Sequence, residues 1–67
     1  MSEFHPAVAG VLRFFEFGHL PMTLREVSQP FHDLAYQVAR RAPDDPETPV
    51  ALRKLLEAKD AAVRAAL

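Results

Sequence analysis

Sixty-seven residues, 49% of them apolar and 25% charged, with a formal net charge of −1, make one domain and argue against a long nucleic acid as partner. A chain of this size buries only about 60% of the surface its unfolded form exposes, so a lone core is marginal and a staple is usual. With no cysteine, disulfides and thiolate zinc sites are excluded, and oligomerisation is the staple that remains. There is no basic leader followed by an apolar run, nor any apolar stretch near the roughly 20 residues of a membrane span, so the expectation is a soluble protein of the cytoplasm.

In chain order, His5-Pro6 opens a run in which Val8, Val11, Leu12 and Phe15 fall at i, i+3, i+4 and i+7. That spacing predicts a short amphipathic helix with Pro6 in its first turn, weakened by Gly10. Between Phe17 and Pro21 the chain must turn, since Gly18 permits positive φ and Pro21 pushes Leu20 towards extended backbone.

Leu24, Val27, Phe31, Leu34 and Val38 then alternate at three- and four-residue steps, the a/d seam of a second helix. Pro30 lies inside that run, so either the helix kinks there or a new one starts with Ser28 as its N-cap; the unbroken seam favours one kinked helix. It should stop at Ala42, before Pro43, with Arg40 and Arg41 against its negative end.

Asp45 as N-cap, Pro46 at the first helical position and Glu47 in the first turn then start a third helix, which meets no breaker before the terminus. Leu52, Leu55, Leu56, Lys59, Val63 and Ala66 share one broad face, and Asp60 precedes Arg64 as an i,i+4 ion pair. Ala58, Ala61, Ala62, Ala65 and Ala66 make the last turns thin, either for close approach of another helix or for helix propensity alone, with fraying. The short connection makes the two long helices antiparallel neighbours. The expected fold is therefore all-α: a short N-terminal helix and an antiparallel hairpin of two long helices over residues 1–67, assembled as a homo-oligomer.

Chemistry is sparse. His5, His19 and His32 include no pair at ligand spacing on one helix face, so no metal site is expected. No Ser/His/Asp set, no Gly-rich phosphate loop and no carboxylate pair beyond the capping acids is legible, and a non-enzymatic role follows. Phe14, Phe15 and Phe17 are three rings in four positions and cannot all enter one core. The remaining ring either packs on a neighbouring subunit or stacks on a ligand base, an interaction of about 1–3 kcal/mol. Arg13, Arg25, His32 and Lys54 offer positive charge for phosphates.

The order Phe15-x-Phe17-x-His19-x-Pro21, Leu34-Ala35, Pro43-Asp44-x-Pro46-Glu47, then Ala51-Leu52-x-Lys54-Leu55-x-Glu57-Ala58 resembles the anti-CBASS sponge family of phages, which is related to the hairpin domain of anti-Thoeris sponges. The likeness spans roughly residues 15 to 60, most specifically in the last of those stretches. It implies a cofactor-free homo-hexamer that captures cyclic dinucleotides such as cGAMP between neighbouring protomers without hydrolysing them, an immune-evasion role in the host cytoplasm. By the same resemblance the base-stacking aromatic falls on Phe17, next to His19 in the pattern. The phosphate-facing basic position falls on Ser28 or, one turn later, His32, with Arg25 as a substitute and Lys54 as a further contact. Asp60-Ala61-Ala62-Val63 replaces the family's Met-Trp-Ala-Asn run, and the C-terminal Arg associated with cyclic trinucleotides would lie just past Leu67. The alternative is a helical homo-oligomeric structural or adaptor protein whose Phe cluster and Ala-rich helix grip a protein partner; a third reading is a regulator touching DNA through Arg40, Arg41, Arg53 and Lys54.

Overall fold

A computed structural model describes residues 4–67. Its elements are α1 (Pro6–Leu12), continued by a 3-10 turn over Arg13–Phe15, then α2 (Met22–Arg41) and α3 (Glu47–Ala66), with no strand among the described residues. The His5 imidazole caps α1 by accepting the Ala7 N–H at 3.1 Å, and Pro6 sits where its missing N–H costs nothing. Val8, Val11, Leu12 and Phe15, the positions the spacing singled out, are all buried.

The chain leaves the 3-10 turn through extended Glu16 and reverses in a turn closed by the Leu20 N–H on the Phe17 carbonyl at 3.1 Å. Gly18 does not use the left-handed region expected of it; its φ is negative. Arg25 Nε donates to the Leu20 carbonyl at 2.6 Å and ties this turn to the start of α2.

α2 runs as one helix past Pro30, whose ring lies on the exposed face, so no new helix starts at Ser28. It ends at Arg41, where Ala42 swings to φ −148°, ψ 72°. Asp45 caps the restart: its carboxylate accepts the Glu47 N–H at 2.8 Å and its carbonyl the Thr48 N–H at 3.0 Å, with Pro46 already helical. Thr48 Oγ1 donates to the Ala42 carbonyl at 2.6 Å, a bond that closes the link 42–46 and satisfies a carbonyl near the end of α2. Two long helices in contact across so short a link form a hairpin.

The core corrects the expected seam. The buried positions of α2 are Ser28, Ala35 and Ala39, while Leu24, Val27, Phe31 and Val38 are half-buried and Leu34 is 46% exposed. At about 100° per residue the Leu34–Val38 stripe lies some 80–120° round from Ser28. Small side chains on the inner stripe let Phe15 and Leu52, both fully buried, approach the α2 backbone, so the bulky stripe is rotated to a flank. On α3, Leu52 is the deepest residue and Lys59 lies on the same face. Asp60 meets Lys59 Nζ at 3.5 Å, and the expected pair with Arg64 is not formed among the described residues.

Candidate functional site

His32, Tyr36 and Arg40 follow at four-residue steps and make one ridge along α2, on the flank away from Leu34. Rings from the N-terminal segment meet this ridge. Phe17 stands edge-on to His32 at 5.0 Å between centroids and 72°, and Phe4 edge-on to Tyr36 at 6.0 Å and 68°. His32 and Tyr36 are tilted at 43° with centroids 4.8 Å apart, and the Arg40 guanidinium lies 5.4 Å over the Tyr36 ring. His32 Nδ1 is 3.0 Å from an Asp33 carboxylate oxygen. Beside these rings His32, Asp33, Tyr36, Gln37 and Arg40 line a depression of about 410 Å³.

The structure sorts the three phenylalanines. Phe15 fills the core, Phe17 lies half-buried against His32, and Phe14 points outward, 54% exposed, under the Arg13 guanidinium at 5.1 Å. Of the residues expected at a site, Phe17 and His32 are brought together. Arg25 lies at the N-terminal end of the same helix and binds the Leu20 carbonyl; His19 is exposed in the turn. Ser28 is not on the surface: it is fully buried, and its hydroxyl has no hydrogen-bond partner among the described residues. Lys54 is exposed on α3, about 200° round the helix from the buried Leu52, and so faces away from the ridge.

Tyr36 was missed, and Arg40 was read only as a helix-end cation or a DNA contact. Their four-residue spacing from His32 was the signal that joins them. The ridge supplies aromatic faces and edges, a guanidinium, an amide and a carboxylate, a set that binds planar or anionic groups. No group of His, Cys, Asp or Glu able to hold a metal occurs among the described residues.

No protein-family model matches the chain, and no curated protein and no solved structure matches it either. No helix among the described residues is long and apolar enough to cross a membrane.

Proposed function

We propose that the protein is a non-enzymatic, homo-oligomeric binding protein that sequesters a cyclic dinucleotide of the cGAMP kind, as the phage sponges it resembles do. The observation that carries this reading is the ridge of Phe17, His32 and Tyr36 with Arg40 over the last ring. Bases stack on aromatic faces whatever their identity, and a guanidinium beside the rings meets the phosphates. Ligand pockets bury most of a ligand's surface, whereas this depression is one open wall, so a neighbouring subunit supplies the other. Because the rings are held against one another before the ligand arrives, binding carries little ordering cost. Ser28 is left out of this site, and Lys54 contributes only if it comes from the neighbouring subunit.

Calorimetric titration with a panel of cyclic di- and trinucleotides tests the reading. Heat is expected with a cyclic dinucleotide, and Phe17→Ala should weaken binding by about 5- to 150-fold while leaving the particle mass unchanged, given about 1–3 kcal/mol for a stacked base. Absence of both heat and thermal shift across the panel would overturn it. Phe14, 54% exposed, and Met22, 66% exposed, favour the second reading, an adaptor that grips a protein partner, in which nucleotides change nothing.

A further inference from the structure

Among the described residues the N-terminal segment lies against one side of the hairpin. Phe4 and Phe17 lie against Tyr36 and His32, and His5, Ala7 and Val8 share a cleft with Asp44, Pro46 and Pro49. Away from that cover Val38 and Ala51 border an open cleft of about 420 Å³ that ends at Arg41 and Glu47, and Leu34 and Val38 form one wall of another, of about 550 Å³, whose other wall, Gln37 and Arg40, adjoins the aromatic ridge. Two ridges run along this side at a/d spacing. That of α2 is thick, Val27-Phe31-Leu34-Val38; that of α3 is thin, with Ala51, Ala58 and Ala62 round Leu55.

We infer that this side is the contact between two copies of the chain, related by a two-fold axis parallel to the helices, so that α2 of each copy lies over α3 of the other. The inference rests on the homo-oligomer proposed above and names the face it uses. Two observations select a second copy as the occupant. The face carries both a thick and a thin ridge, so a two-fold rotation sets thick on thin twice, the self-complementarity that an isologous contact requires. Val38 and Ala51 border one cleft with Arg41 and Glu47 at its end, so the same rotation places Arg41 of each copy over Glu47 of the other, two opposite-charge pairs at the link end of the bundle. All neighbouring helices in the resulting four-helix bundle are antiparallel, and the Phe17, His32 and Tyr36 rings stay outside it, with Arg40 at the border of the two faces.

Light scattering at micromolar concentration tests the inference. The wild-type particle should weigh at least twice the 7.5 kDa of one chain. Leu34→Glu, at a position already 46% exposed, should cut that mass by a factor of two or more with helicity unchanged in circular dichroism. Ala58→Leu, which thickens the thin ridge at an exposed position, should do the same and decides the matter if the first variant does not fold. Because the chain has no cysteine, copies carrying Val38→Cys mixed with copies carrying Ala51→Cys should form a mixed disulfide on oxidation. A wild-type particle of single mass, variants that keep the wild-type mass, or Leu34→Cys linking efficiently to its own copy would each overturn it, the last because it places α2 on α2. Nucleotide heat with the wild type and no loss of mass in Leu34→Glu sinks this face and leaves the ligand reading standing; loss of mass in Leu34→Glu with no heat from the wild type does the reverse.

Discussion

Ser28 shows how far a single side chain can be read in advance. Polar residues are mostly outside, and a serine on a helix that resembles a ligand-binding one reads naturally as a contact. Its hydroxyl instead lies fully buried without a partner among the described residues, on the inner stripe of small side chains that α2 shares between Ser28, Ala35 and Ala39. An unpaired buried hydroxyl carries a desolvation cost of about 1–3 kcal/mol, and removing it leaves nothing else unsatisfied. Ser28→Ala should therefore raise the melting temperature, by about 4–8 °C per kcal/mol for a domain of this size, in a thermal melt followed by circular dichroism. A lower melting temperature would overturn this reading of the hydroxyl as unpaired. The phenylalanines illustrate the same limit. That one of them had to stay outside the core followed from counting rings, but which one followed only from how the 3-10 turn aims Phe14 outward and Phe15 inward.

At the scale of elements, the best legible was α1, where a proline start and four apolar positions in register leave one solution. The capping chemistry at Asp45 and the stop after Arg41 were equally plain, because both are local. The rotation of α2 was not. Hydropathy weighs side-chain size, and it pointed to Leu24, Val27, Phe31, Leu34 and Val38, whereas the helix buries the stripe that permits the closest approach. Lys59 was placed on the inner face correctly, but its role depends on chain crossing. Its ammonium donates to the Phe14 carbonyl at 3.0 Å and its side chain is only 13% exposed, so it staples α3 to the end of the N-terminal segment. Lys59→Met keeps the apolar stem and deletes the donor. It should lower stability by about 1–2 kcal/mol, within the range for hydrogen bonds to a charged group, read as a fall in melting temperature with the helix content of the folded state unchanged.

For the whole molecule, the small core is the governing fact. Its fully buried large side chains are few, chiefly Phe15, Leu52 and Val8, and a bulky stripe remains on the open side of the hairpin. An assembly that hides this stripe ties folding to concentration: the melting temperature should climb as the protein is raised from micromolar to hundreds of micromolar, and in Leu34→Glu it should stay flat. The hairpin itself was legible from proline positions and helix periodicity. The site was legible in part, since Phe17 and His32 were singled out by pattern and do meet, whereas Tyr36 joins them only through spacing along a helix whose orientation the pattern misjudged.

The bond from Thr48 to the Ala42 carbonyl bears on how copies can come together. To trade an arm with a neighbour, a hairpin must straighten at its elbow, and this elbow is latched by the hydroxyl of Thr48, a buried residue, across a link stiffened by Pro43 and Pro46. Straightening would strip that carbonyl of its donor. In the assembly proposed above the copies would thus meet as closed units, surface to surface, and not by exchanging segments.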